Sequence, residues 1–185
     1  MTKDCGQRRA TFVFLVGPSG SGKTWLSRQL ADLLKWPVFD TDALVESIEG
    51  RPIAAIFAEQ GEEYFRQVEQ IVLNSILKES KTGVIATGGG LPTIPGTMAK
   101  MSEYGITVYL EASLDELWNR LTVDREELAK RPLLRNGGRA ALERMVCQRA
   151  PVYANAQVTL RTDGLPPEEV SQFVLAAISH LLDIE

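Results

Sequence analysis

Two cysteines and a single histidine are the only thiol and imidazole groups in this 185-residue chain. Cys5 and Cys147 stand far apart with no CxxC spacing, which argues against a disulfide framework and a structural zinc site and leaves reduced thiols as the expectation. His180 has no partner at ligand spacing, so a histidine-based metal centre is not expected. Positive charge is not in excess either. Twenty Lys and Arg stand against 24 Asp and Glu, a formal net charge of −4, and that balance argues against a dedicated nucleic-acid or anionic-membrane binder. No stretch reaches the ~18 apolar residues of a membrane-spanning helix. The first residues, MTKDCGQRRA, lack the apolar core of a signal peptide. A cytoplasmic location is the resulting expectation. There is no internal repeat, no low-complexity linker and no NKxD-type guanine signature.

What is present is an alternation. Apolar runs at 11–16 (TFVFLV), 38–39, 84–86, 106–110 and 157–160 read as strands. Between them lie stretches with helical spacing: 22–34, 43–48, 53–77 with a break near Gly61, 113–121, a helix after Gly137 and Gly138 to about 153, and 166–182. Ser113 with Glu116 three residues on is predicted to form a capping box. Strands alternating with helices imply an α/β fold, a parallel sheet covered on both faces, so three layers α/β/α. At this length one domain, residues 1–185, is expected.

The stretch Gly17-Pro-Ser19-Gly20-Ser21-Gly22-Lys23-Thr24 matches GxxxxGK[ST] between a strand and a helix, the context this motif requires. Its glycines let successive N–H groups point at phosphate oxygens, and the helix N-terminus adds positive potential. Lys23 is expected at the β- and γ-phosphates of a nucleoside triphosphate and Thr24 at Mg²⁺. The chain is short for a regulated GTPase and too acidic for a nucleic-acid-driven ATPase. A small kinase fits better, and a kinase needs an acceptor site.

Four stretches supply candidates. Asp40 and Asp42 follow a strand end, where open parallel sheets bind ligands. One of the two could support Mg²⁺ and the other accept a hydroxyl proton, with a solvated helix cap as the plain alternative. Arg66 and Glu69 share a helix face at i, i+3, either as an ordinary ion pair or as a guanidinium fork aimed at a substrate carboxylate. Gly88, Gly89 and Gly90 follow a strand and suit close approach of a ligand to main chain. Residues 120–149 hold seven arginines and one lysine against four acids, an anion-binding bias within an acidic chain. Inside them, 122–138 reads as a mobile lid, with Arg131 as the arginine it would bring to a transferring phosphoryl group.

Taken in order, GPSGSGKT, the DTD at 40–42, RPIAAIFAEQGEEYFRQVE at 51–69, the triple glycine, RPLL at 131–134 and RAPVY at 149–153 resemble the shikimate kinase family over roughly residues 11–180. The resemblance implies a P-loop kinase fold with a five-stranded parallel sheet of order 2-3-1-4-5. It also implies ATP-dependent phosphorylation of the 3-hydroxyl of shikimate, with Mg²⁺ as cofactor. By that similarity Arg66 and Arg149 would take the carboxylate, Asp42 the hydroxyls, and Gly88, Gly89 and Gly90 would complete the acceptor site, within a helical region at about 43–80. Thr24 and Asp40 would attend Mg²⁺. Gly17, Ser19, Gly20, Ser21, Gly22, Lys23 and Thr24 would bind ATP, together with Arg131 and a second lid arginine, Arg125 or alternatively Arg120. Lys23, Asp42 and Arg131 would carry the chemistry, and residues 161–164 would contact adenine. The partners implied are ATP and a small hydroxylated carboxylic acid, bound by a monomer, with neither nucleic acid nor membrane. The sequence departs from the family pattern at Asn155, at Leu91-Pro92 and in the long acidic stretch VDREELAK. A related kinase, such as one for gluconate, and a non-catalytic nucleotide-binding regulator are the competing readings.

Overall fold

The computed structural model describes residues 12–123 and 137–182. The elements run β1 (Phe12–Val16), α1 (Lys23–Leu34), β2 (Val38–Asp40), α2 (Thr41–Glu49), α3 (Ile53–Glu79), β3 (Gly83–Ala86), α4 (Thr97–Tyr104), β4 (Gly105–Glu111), α5 (Leu114–Val123), α6 (Gly138–Tyr153), β5 (Val158–Arg161) and α7 (Pro167–Leu182). All neighbouring strands pair in parallel, in the order β2-β3-β1-β4-β5.

β1 explains the layering. All five of its residues are buried, and they alternate between two cores. Phe12, Phe14 and Val16 face one side, with Val45 of α2, Phe65, Val72 and Leu73 of α3, Met101 of α4 and Tyr153 of α6. Val13 and Leu15 face the other, with Leu26 and Leu30 of α1 and Val174 and Ile178 of α7. A strand apolar on both faces is stable only in the middle of a covered sheet. From β1 the chain moves to one side of the sheet, and after β3 it crosses to the other. β1 and β3 are neighbours, so the crevice at this reversal lies beyond their carboxyl ends, where open α/β sheets bind ligands.

Three local features differ from the sequence expectations. The helix α4 has no counterpart there, because its eight residues carry only Met98, Met101 and Tyr104 as large apolar groups and glycine lies at both ends. The capping box at Ser113 is half formed. Its hydroxyl accepts from Glu116 N at 3.3 Å, but the Glu116 carboxylate turns to Arg120. The Ser113 N–H is taken instead by Asp163, 50 residues away in sequence, at 2.8 Å. Third, β2 extends through Asp40 and α2 opens at Thr41, so Asp42 lies within the helix and not in a turn before it. The expected break near Gly61 is present: its φ of 81° and ψ of 176° interrupt α3.

Candidate active site

The loop between β1 and α1 takes its shape from Gly17, Gly20 and Gly22, whose φ values of 144°, 83° and 91° are the left-handed backbone that L side chains avoid. Lys23 opens α1, and its ammonium lies over the loop, donating to the carbonyls of Gly17 at 2.9 Å and Pro18 at 2.7 Å and to Ser21 Oγ at 3.3 Å. The Thr24 hydroxyl donates to Asp40 Oδ2 at 2.8 Å. Asp40 Oδ1 meanwhile accepts from the N–H groups of Asp42 at 3.0 Å and Ala43 at 3.2 Å, capping α2. The capping and functional readings of Asp40 therefore describe one carboxylate with two oxygens. Thr24 and Asp40 place hard oxygen donors side by side, the chemistry that suits Mg²⁺ shared with phosphate oxygens. Among the described residues no group of three His, Cys, Asp or Glu could hold a metal by itself.

The triple glycine is the second centre. Thr87 N and Oγ1 both donate to Leu15 O, at 3.1 and 2.9 Å, which binds the loop after β3 to the strand before the phosphate loop. Gly88 N donates to the buried Thr41 hydroxyl at 2.8 Å, which ties the same loop to α2. None of Gly88, Gly89 or Gly90 has positive φ, so turn geometry does not demand glycine here. Space does. A Cβ on Gly88 would fall onto Glu69 Oε1 and Asp42 Oδ1, and one on Gly90 would fall onto the Arg66 guanidinium. A Cβ on Gly89 would lie 3.5 Å from Arg149 Nη1 and 3.7 Å from the Tyr153 hydroxyl. The close approach anticipated for a ligand is in the first instance made by the protein's own charged side chains.

These side chains come from α2, α3 and α6. Arg66 pairs with Glu69 and, at 2.7 Å, with Glu62. Glu69 is completely buried, and its Oε1 has no hydrogen-bond partner. Burial pushes its carboxyl up to about 7; Arg66 pulls it down and Asp42 adds to the rise. Tyr153 donates its hydroxyl to Gly89 O. Burial raises that phenol to about 12, with Arg149 acting the other way, and keeps it a donor. Two guanidinium groups and two carboxylates thus surround one short main-chain segment.

Two neighbouring cavities border the phosphate loop, and the larger of them reaches this cluster. The larger, about 440 Å³, runs from Gly22, Lys23 and Thr24 to Asp40, Asp42 and Gly89. The smaller, about 310 Å³, is a more apolar slot with Leu26, Leu110, Leu165, Pro167 and Val170 in its wall. Arg120 borders both. It is fastened on α5, donating to Glu116 Oε1 at 2.8 Å, Thr162 Oγ1 at 3.1 Å and Thr162 O at 2.9 Å. Of the segment 161–164, Thr162 reaches the smaller cavity, whereas Arg161 is exposed and paired with Asp163 at 2.7 Å. Hydrogen bonds from Ser113, then Arg161, hold the Asp163 carboxyl down at about 2.

The structure accordingly brings Gly20, Gly22, Lys23, Thr24, Asp40, Asp42 and Gly89 to one cavity. Arg66, Arg149, Gly88 and Gly90 stand at its glycine edge. Arg125 and Arg131, with most of the expected lid at 122–138, lie outside the described residues. Sequence reasoning names Glu69 only as the partner of Arg66 and gives Tyr153 and Trp25 no part of their own in the site. The i, i+3 spacing from Arg66 was a signal for Glu69, but only packing shows that it is buried beside Asp42.

A sequence model described as "Shikimate kinase" matches residues 19–179. A shikimate kinase of Synechococcus sp. (strain JA-3-3Ab) is 40% identical over 176 residues, which cover 94% of this chain and 90% of that protein. The structure of shikimate kinase from Acinetobacter baumannii in complex with shikimate matches with a TM-score of 0.84 at 32% identity, covering 92% of this chain and 94% of that one. A gluconokinase from Sinorhizobium meliloti 1021 matches with a TM-score of 0.60 at 18% identity, over 96% of each chain. That last likeness is one of fold alone.

Proposed function

The chain belongs to the shikimate kinase family, and from that premise we propose that it transfers the γ-phosphoryl group of ATP to the 3-hydroxyl of shikimate. The observation that carries this reading is that Asp42, Arg66 and Arg149 gather around the triple glycine at the end of the cavity that begins on the phosphate loop. The loop N–H groups and Lys23 bind the β- and γ-phosphates. Thr24 and Asp40 would hold Mg²⁺, which would offset the phosphate charge there. Arg66 and Arg149 take the acceptor carboxylate, for which the guanidinium fork has the matching geometry. Asp42 receives the proton of the 3-hydroxyl as its oxygen bonds to the γ-phosphorus and the bridging bond to ADP breaks. Arg131, from the stretch 122–138, supplies further positive charge to the transferred group. The base lies in the smaller cavity, whose wall includes Arg120, Thr162 and Pro167. The proposed enzyme is a monomer located in the cytoplasm with its ATP supply; a dimer in size-exclusion chromatography would count against the first part.

The deciding experiment is ADP release with shikimate, gluconate, nucleoside monophosphates and no acceptor. Turnover with shikimate at least about 100-fold above the others is expected, because a site built to pair a carboxylate and hydroxyls rejects acceptors that leave those groups unmatched. Faster turnover with gluconate, or release independent of any acceptor, would overturn the reading.

A further inference from the structure

Trp25 stands where the two cavities meet. Among the described residues, the walls of the 440 Å³ and 310 Å³ cavities have only Gly22, Trp25 and Arg120 in common. Gly22 has no side chain, and Arg120 is tied down by its three hydrogen bonds to α5 and Thr162. Trp25 is therefore the large side chain at the junction whose surface is open. It is 38% exposed, although α1 already covers its core with Leu26, Leu30 and Ala31. A tryptophan that the core does not use, left partly bare in a concave site, marks a surface meant for a ligand. Its place on α1, next to Thr24, sets it one residue beyond the groups that meet the phosphates.

With the phosphates on the loop and the base in the apolar slot, the part of a nucleotide that crosses the junction is the ribose with its α-phosphate. We propose that Trp25 is a nucleoside-recognition residue, its indole face packed against the ribose and its Nε1–H available to an oxygen there. The proposal rests on the nucleotide placement given above. It assigns the indole a part that bare polyphosphate binding does not need. Trp25 thus separates recognition of the nucleoside from recognition of the phosphates, which the loop main chain and Lys23 perform.

The test titrates the full-length chain and its Trp25→Phe and Trp25→Ala variants with ADP and with inorganic tripolyphosphate, by calorimetry and by tryptophan fluorescence. Trp25→Ala is expected to weaken ADP about tenfold, equal to ~1.4 kcal/mol, and to leave tripolyphosphate within about twofold of the parent. Trp25→Phe keeps an aromatic face and most of the ADP affinity, but loses the fluorescence change that ADP produces in the parent. An unchanged ADP affinity in Trp25→Ala, an equal loss for tripolyphosphate, or a full fluorescence change in Trp25→Phe would overturn the proposal. Should Trp25→Ala not fold, the fluorescence of Trp25→Phe still decides. No acceptor is present in these titrations, so failure of the shikimate assignment leaves them intact. Failure of the parent chain to bind ADP removes the nucleotide reading and this inference together.

Discussion

At one end of the site the ligand surface is contiguous main chain, residues 17–24 wrapped by three glycines of positive φ. At the other end it is made of side chains drawn from α2, α3 and α6 onto Gly88, Gly89 and Gly90. The first depends on backbone shape and on one lysine already held against its own loop. The second depends on a balance of buried charge in which each member sets the state of the others. Arg66 holds Glu69, and Glu69 rises to about 7 through burial, with Asp42 adding to the rise. The phosphate end should therefore tolerate changes of pH and of neighbouring side chains, whereas the acceptor end should respond to both.

The largest expected break in this contrast is Asp42→Asn. We expect kcat to fall by about 10²- to 10⁴-fold, the range for losing a positioned general base, while ADP affinity stays within about twofold. Turnover equal to the parent would remove Asp42 from the chemistry, and a parallel loss of ADP binding would show that the two ends are not separable.

The next concerns Glu69 and stability. Its folded pKa of about 7 lies above the ordinary 4.5, so between those values the folded state holds a proton that the unfolded state has released. Stability from this group is full below about pH 4.5 and is lost as pH rises to 7. Glu69→Gln does not titrate and lacks that loss, so its melting temperature relative to the parent should climb from pH 4.5 to 7 and level off above. The full change is about 3 kcal/mol, because each pH unit across that window removes ~1.4 kcal/mol. A difference independent of pH would mean that Glu69 is ionised throughout.

Arg66→Lys is the smallest and sharpest probe. A point charge cannot reproduce the bidentate fork, so the acceptor KM should rise about tenfold, ~1.4 kcal/mol, with the ATP KM unaffected. An unchanged acceptor KM would take the substrate carboxylate away from Arg66.

The same contrast explains how much could be read in advance. The phosphate loop was legible because spacing within eight residues carries all of its geometry. Most strands and helices were legible for a similar reason: periodicity and capping are local. The exceptions are informative. Helix α4 has too few apolar residues to show a period, and the cap at Ser113 is completed by Asp163, which no local window contains. At the acceptor end resemblance names the candidate residues, but it gives no reason for the glycines. Gly88 and Gly90 are needed because Asp42, Glu69 and Arg66 crowd against them, and that crowding exists only after α2 and α3 fold back over β3. Trp25 likewise reads in sequence as one more apolar residue of α1 and gains its significance from two cavities that meet at it.

Sequence alone determined the phosphate-binding loop, the alternation of strand and helix and the excess of arginine after residue 120, because each rests on neighbours along the chain. Tertiary structure alone decided that Glu69 is buried with one oxygen short of a partner, that Asp40 serves α2 and Thr24 at once, and that one indole stands where two cavities meet. Desolvation and close packing arise between segments distant in sequence, and so they come into being only with the fold.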